Sequence, residues 1–131
     1  MPPLHGLLET SLYVDDLDRS LAFYRRVFGF EPIFSNERLI ALGVEARQVL
    51  LLFKKKLSAE LPLSPHDGDG QLHLAFAIDK SELSAWEEWL AQNGIAIEER
   101  KEWERGGVSL YFRDPDGHLL ELATPGVWTI Y

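Results

Sequence analysis

The chain has 131 residues, no cysteine and a formal net charge of −8, from 21 acidic and 13 basic side chains. Without cysteine there is no disulfide, thiolate metal site or cysteine nucleophile, so a metal ion would have to be held by His, Asp or Glu. The acidic balance argues against binding to nucleic acid, and no apolar segment is long enough to cross a membrane. We therefore expect one small domain, without a signal peptide, in the cytoplasm.

The first half of the chain predicts a strand, a helix and three further strands. Residues 7–14 carry β-branched and aromatic side chains, and the acidic cluster at residues 15–18 is typical of a helix start. Apolar side chains then recur at a spacing of about 3.6 as far as Phe28, and Gly29 supplies a helix end. The later segments with strand character are residues 31–34, 38–42 and 48–53.

The second half repeats this order. Residues 72–78 predict a strand, Asp79 with Glu82 is typical of a capping box, and an amphipathic helix follows as far as Asn93. Strands are expected over residues 95–100, 108–113 and 118–123, with a tight Asp-Pro-Asp-Gly turn at 114–117. Residues 57–69, rich in Pro, Gly, Ser and Asp, are expected to link the two halves.

This repetition predicts an α+β fold made of two βαβββ modules, at about residues 5–56 and 70–126, within a single domain over residues 1–131. A module of this size is only marginally stable alone, because it buries too little apolar surface. We therefore expect the two modules to bury a shared face.

Residues that can bind a metal stand at related places in the two modules. Glu9 and His73 each lie five residues before the end of a predicted strand, and Glu121 in the last strand corresponds to Leu51. A carboxylate among leucines, as at Glu121, is costly unless it is paired or coordinated. One imidazole and two carboxylates suit Mn²⁺, Ni²⁺, Fe²⁺, Co²⁺, Mg²⁺ or Zn²⁺ and leave positions open for substrate. We predict that Glu9, His73 and Glu121 hold one divalent ion in a catalytic site.

A purely structural explanation of these residues stays open. Glu9 could be an exposed surface residue, and His73 a hydrogen-bonded core histidine. Glu121 could be the ion-pair partner of Arg113 or Arg105.

The segments that carry these residues resemble the vicinal oxygen chelate superfamily of glyoxalases, bleomycin-resistance proteins and extradiol dioxygenases. The matching segments are residues 9–24, 72–78 and 109–121. The resemblance implies a cup-shaped half-barrel of two βαβββ modules around the metal, and subunits that pair as homodimers. It also implies a metal-dependent, glyoxalase-like enzyme (a lyase, an isomerase or a related activity) that stabilises an oxyanion or enolate on a small oxygen-rich substrate.

The last strands are most similar to the fosfomycin-modifying branch of that superfamily. By this resemblance, the groups that contact an anionic substrate are Ser11, Lys101, Ser109 and Tyr111. Hydroxyls and an amine suit a phosphonate or carboxylate, and the groups expected to take part in catalysis are Tyr111 and Glu121. Ordinary strand alternation would explain Ser109 and Tyr111 equally well, and a solvated strand edge would explain Lys101.

Other activities of the superfamily also stay open. A metal-free binding protein of the bleomycin-resistance kind is the alternative from another class, and a fosfomycin-type transferase or hydrolase is a third possibility. Lactoylglutathione lyase chemistry implies a further ligand at the position of Leu51, which this chain lacks. A Glu-His-Glu ligand set fits an extradiol dioxygenase poorly, because the resemblance to those enzymes implies an iron site with two His ligands and one carboxylate.

Overall fold

The computed structural model describes residues 1–45 and 47–131. It divides into two compact units, Met1–Gly70 and Gln71–Tyr131, and the elements of both follow the order β-α-β-β-β. The first unit contains β1 (Glu9–Val14), α1 (Leu17–Phe28), β2 (Pro32–Ser35), β3 (Leu39–Val44) and β4 (Gln48–Lys54). The second contains β5 (His73–Ala77), a 3₁₀ turn (Lys80–Glu82), α2 (Leu83–Gln92), β6 (Glu99–Glu102), β7 (Val108–Arg113) and β8 (Leu119–Ala123). The predicted α+β class with two βαβββ modules is confirmed.

The two sheets share one topology. The strand orders are β1-β4-β3-β2 and β5-β8-β7-β6, with the first pair of each sheet parallel and the others antiparallel. Glu9 lies opposite Val49, and His73 lies opposite Leu119, so Glu9 and His73 begin their strands at equivalent places. The correspondence inferred from the sequence repeat is therefore a correspondence of strand register.

The two helices begin differently. Asp16 caps α1 with its carboxylate, which accepts a hydrogen bond of 2.9 Å from the Arg19 amide, and Gly29 ends the helix with a positive φ of 69°. The capping box predicted at Asp79 is wrong, since its side chain makes no cap hydrogen bond. The backbone carbonyl of Asp79 instead accepts from the Glu82 amide at 3.0 Å, and a 3₁₀ turn precedes α2.

Alternation along the strands places an apolar core on one face of each sheet. In the first unit, Leu12 and Val14 of β1 are buried together with Tyr24 of α1. In the second unit, Leu110 of β7 and Leu120 of β8 are fully buried. The residues at odd-numbered positions, which include the predicted site residues, therefore lie on the opposite face of each sheet.

The segment predicted as a linker is ordered against the first unit. The hydroxyl of Ser58, which is 1% exposed, accepts from the Arg38 guanidinium at 2.8 Å, and the Ser58 carbonyl accepts from the His66 amide at 3.2 Å. Further along, Gly68 lies so close to Tyr13 that a Cβ at this position would stand 2.4 Å from the ring. This segment is thus part of the surface above β1 and β4.

No helix within the described parts of the chain has the length and apolar character needed to span a membrane.

Candidate metal centre

In the second unit, neighbouring strands bring four of the predicted site residues onto one face. Glu121 of β8 lies opposite Tyr111 of β7 on one side and opposite Ala75 of β5 on the other. His73 and Ser109 are each two residues from one of these partners, so they point to the same side of the sheet. Ala75 carries only a methyl group, so the side chain opposite Glu121 is small.

The imidazole of His73 and the carboxylate of Glu121 face each other. Nε2 of His73 is 3.2 Å from Oε2 of Glu121, and Nδ1 of His73 is 3.0 Å from the carbonyl oxygen of Leu119. Since a carbonyl can only accept, Nδ1 carries the hydrogen. In the neutral ring, Nε2 then presents a lone pair to the carboxylate, and two acceptors at this distance require a cation between them. That cation is a proton, carried by either partner, or a metal ion.

Glu121 is buried, with a carboxylate that is hydrogen-bonded on its other oxygen. The residue is 5% exposed, and Oε1 accepts a short hydrogen bond from the hydroxyl of Ser109. Ser109 is itself fully buried, and its oxygen accepts from the indole Nε1 of Trp103 at 2.9 Å. The Ser109 hydroxyl is therefore engaged within the protein, whereas the sequence predicted that it contacts substrate.

Tyr111 and Lys101 border this pair. The rings of Tyr111 and His73 lie 6.3 Å apart, and Tyr111 is partly buried. Burial raises the pKa of the Tyr111 phenol, and the charge of Glu121 adds to this effect, while a hydrogen bond with Ser109 opposes it. Tyr111 thus stays protonated at neutral pH and can donate a hydrogen bond. The ammonium group of Lys101, an exposed residue, stands 4.0 Å from the centre of the Trp103 ring.

In the second unit, the partner of Arg113 and the exposure of His73 differ from those expected if these residues had only a structural role. The guanidinium of Arg113 pairs with Glu98 at 3.1 Å rather than with Glu121. The His73 side chain is 51% exposed, so it is not a core histidine. The histidine with that role is His118, which is 1% exposed and accepts from the Leu72 amide at 3.0 Å.

Glu9 and Ser11 lie in the first unit, on a face that carries a surface cavity of about 280 Å³. The lining residues are Glu9, Thr10, Ser11, Tyr13, Leu51, Phe53 and His66. Glu9 is exposed at the start of β1, and the hydroxyl of Tyr13 is 2.7 Å from Nδ1 of His66. The sequence did not predict a role for Tyr13, and His66 lay within the predicted linker at residues 57–69. The contacts of an irregular segment cannot be predicted from periodicity, because it has none.

The predicted triad therefore divides between the units. Within each unit, as far as it is described, no three His, Asp or Glu side chains are grouped as metal ligands. His73 and Glu121 are brought together in the second unit, and Glu9 belongs to the first. Leu51 lies opposite Ser11 as Glu121 lies opposite Ala75, so the place equivalent to Glu121 holds an apolar side chain.

Comparison with known proteins finds a family and a solved structure that match nearly the whole chain. The model of the Glyoxalase/Bleomycin resistance protein/Dioxygenase superfamily matches residues 6–122. A crystal structure described as lactoylglutathione lyase from Agrobacterium tumefaciens is 36% identical, with a TM-score of 0.90 over 97% of this chain and 98% of the other.

Two bacterial proteins named FosX and FosB are also similar. The fosfomycin resistance protein FosX of Listeria monocytogenes is 33% identical over 91% of this chain and 89% of its own length. Its crystal structure with Mn(II) and sulfate has a TM-score of 0.72 at 24% identity, covering 95% of this chain and 94% of that one, and shows the shared fold. The metallothiol transferase FosB of Bacillus licheniformis is 30% identical over 94% of this chain and 77% of its own.

Proposed function

Because this chain belongs to the Glyoxalase/Bleomycin resistance protein/Dioxygenase superfamily, we propose that it is a divalent-metal-dependent enzyme acting on a small oxygen-rich substrate. Glu9, His73 and Glu121 are its proposed ligands. The proposal rests on one observation above all: Nε2 of His73 is directed at the Glu121 carboxylate, while Nδ1 is engaged by the Leu119 carbonyl.

The donor set of the second unit suits a divalent ion. Bonds of about 2.1 Å from an ion to nitrogen and oxygen ligands put neighbouring ligand atoms roughly 3 to 3.5 Å apart. The distance of 3.2 Å between Nε2 of His73 and Oε2 of Glu121 falls within that range. The hydrogen bond from Nδ1 to the Leu119 carbonyl is the outer contact that metal-binding histidines ordinarily make.

A bound divalent ion would act as a Lewis acid on an oxygen of the substrate. The residues around it then have separate tasks. Tyr111, with its raised pKa, is a hydrogen-bond donor for negative charge that develops on the substrate. Lys101 attracts an anionic group from its exposed position above Trp103. Glu121 or Tyr111 is the proposed proton-transfer group.

Titration of the metal-free protein with Mn²⁺ by calorimetry tests the proposal. We expect one ion per chain for the wild type, and loss of binding for His73→Ala and for Glu121→Gln. Glu102→Gln is the matched control, because Glu102 is an exposed carboxylate of the same unit that pairs with Arg100. Glu9→Gln tests the third ligand separately.

Unchanged Mn²⁺ binding in both His73→Ala and Glu121→Gln would contradict the site. A wild type that binds no metal but is stabilised by a large cationic or aromatic ligand would favour the metal-free binding protein instead. Unchanged affinity in Glu9→Gln alone would remove Glu9 from the ligand set and leave the pair of the second unit.

A second candidate, fosfomycin modification, is supported by the similarity to FosX and FosB and by the cation at Lys101. We would incubate the Mn²⁺-loaded protein with fosfomycin, alone and with thiols, and follow the phosphonate by ³¹P NMR. Consumption of fosfomycin that depends on Mn²⁺ would support this candidate, and Lys101→Met should then raise KM more than it lowers kcat. No consumption under any of these conditions would exclude it.

The lactoylglutathione lyase reaction is less well supported, although the similar structure of that description is 36% identical. The register places Leu51 where the resemblance requires a further carboxylate ligand. We also propose that the protein acts in the cytoplasm as a homodimer, which light scattering of the purified protein would test.

A further inference from the structure

A chain of three hydrogen-bonding side chains ends at the proposed ligand Glu121. The indole Nε1 of Trp103 donates to the hydroxyl oxygen of Ser109 at 2.9 Å, and that hydroxyl donates to Oε1 of Glu121. The three residues come from different elements: Trp103 follows β6, Ser109 lies in β7 and Glu121 lies in β8.

The direction of this chain is fixed by its chemistry. An indole nitrogen can only donate, and an ionised carboxylate can only accept. The Ser109 oxygen is therefore used by Trp103, and the Ser109 hydrogen is left for Glu121.

These hydrogen bonds also determine which oxygen of the Glu121 carboxylate is free. Oε1 accepts from Ser109, whereas Oε2 is the atom at 3.2 Å from His73. Burial leaves the carboxylate little room to rotate, since Glu121 is 5% exposed and Ser109 is fully buried.

Trp103 is held in place from two sides. Its backbone amide donates to the Gly107 carbonyl at 2.8 Å, and its carbonyl accepts from the Gly106 amide at 2.8 Å, in a tight turn. The Lys101 ammonium covers one face of the ring. The indole N–H is thereby directed at Ser109.

We propose that Trp103 and Ser109 are positioning residues for Glu121, which hold its carboxylate so that it binds the metal through Oε2 alone. This inference rests on the proposed function. A carboxylate that binds through one oxygen occupies one coordination position, so a further position stays available for substrate oxygen. Ser109 is thus assigned a supporting role in place of the substrate contact expected from the sequence.

The experiment measures Mn²⁺ affinity in the full chain, by the electron paramagnetic resonance signal of free Mn²⁺. We expect Ser109→Ala to weaken binding by about tenfold or more, as loss of an outer contact to a ligand commonly does. Trp103→Phe should weaken it less, because Ser109 keeps its hydroxyl. The bound-ion spectrum should also change in Ser109→Ala, since Oε1 of Glu121 becomes free to approach the ion, and it should change less in Trp103→Phe.

Two controls separate positioning from general loss of packing. Thr124→Val removes another buried hydroxyl, directly after β8, that accepts from the Val108 amide at 2.8 Å. Trp128→Phe removes a tryptophan that is exposed. Both should leave Mn²⁺ affinity and the bound-ion spectrum unchanged.

The outcomes distinguish the two proposals. If the wild type binds Mn²⁺ and both Ser109→Ala and Trp103→Phe bind it equally well, the positioning role is wrong and the metal site stands. If the wild type binds no Mn²⁺, the proposed function and this inference both fall. Should Ser109→Ala not fold, Trp103→Phe alone decides between a weakened and an unchanged site.

Discussion

Replacing Glu121 with Gln should stabilise the metal-free protein, although the residue is a proposed ligand. In the wild type with a neutral His73 ring and no bound metal, Oε2 of Glu121 and the lone pair of Nε2 of His73 are two acceptors 3.2 Å apart. A glutamine amide at the same place can donate its N–H to Nε2 and still accept from Ser109 through its oxygen. Glu121→Gln thus replaces a repulsive contact with a hydrogen bond.

The expected gain is the net value of one hydrogen bond, about 1 kcal/mol. For a domain of this length it corresponds to a rise in Tm of about 4 °C. The measurement is thermal unfolding at pH 8, where imidazoles are ordinarily neutral, in the presence of a chelator.

Added Mn²⁺ should reverse the order of the two proteins. At a concentration of one hundred times its Kd, a ligand that binds only the folded state stabilises it by about 2.7 kcal/mol, or roughly 10 °C here. The wild type should gain this increment, while Glu121→Gln should gain almost none. A Glu121→Gln protein that is less stable in chelator, or that gains as much from Mn²⁺ as the wild type, would refute the reasoning.

Three further predictions concern residues outside the proposed ligand set. Gly68→Ala should destabilise the protein by about 1 to 3 kcal/mol in urea unfolding, because its Cβ would stand 2.4 Å from the Tyr13 ring; wild-type stability would contradict that packing. His118→Ala should cost about 2 to 4 kcal/mol and leave Mn²⁺ stoichiometry unchanged, since His118 is buried and accepts from the Leu72 amide; loss of the metal would make His118 a ligand. Burial raises the pKa of Tyr131, so its contribution to stability is complete below the ordinary tyrosine pKa of about 10 and is lost as the pH rises through the higher folded-state pKa. Tyr131→Phe should flatten the stability profile above that pH, and an unchanged slope would show that this phenol has no part in it.

Most of the fold could be predicted from the sequence because its signals are local. The helix start at Asp16 and the end at Gly29 depend on residues within one turn of each other, and both were predicted correctly. Prediction failed where a local pattern had a competing local solution. Asp79 and Glu82 have the spacing of a capping box, but the backbone closes a 3₁₀ turn between the same two residues.

The boundaries of β6 were shifted for a similar reason. The sequence predicted a strand over residues 95–100, whereas the structure has Glu99–Glu102. The amide of Ile95 donates to the Leu90 carbonyl at 2.9 Å, so the first of these residues completes the end of α2 before the chain becomes extended. Apolar character alone does not distinguish a strand from a helix end.

The sequence by itself determined the two βαβββ modules, the equivalence of Glu9 with His73, and that of Leu51 with Glu121, because period-2 alternation and a repeated order of elements are properties of the chain. Only the tertiary structure decided how these side chains are used. The tautomer of His73 depends on the carbonyl of a residue 46 positions away, and the pairing of Tyr13 with His66 spans 53 positions. The role of Ser109 depends likewise on Trp103, which follows β6, and on Glu121 of β8. Hydrogen bonds between distant segments exist only after the strands have paired, and for this reason no local pattern predicts them.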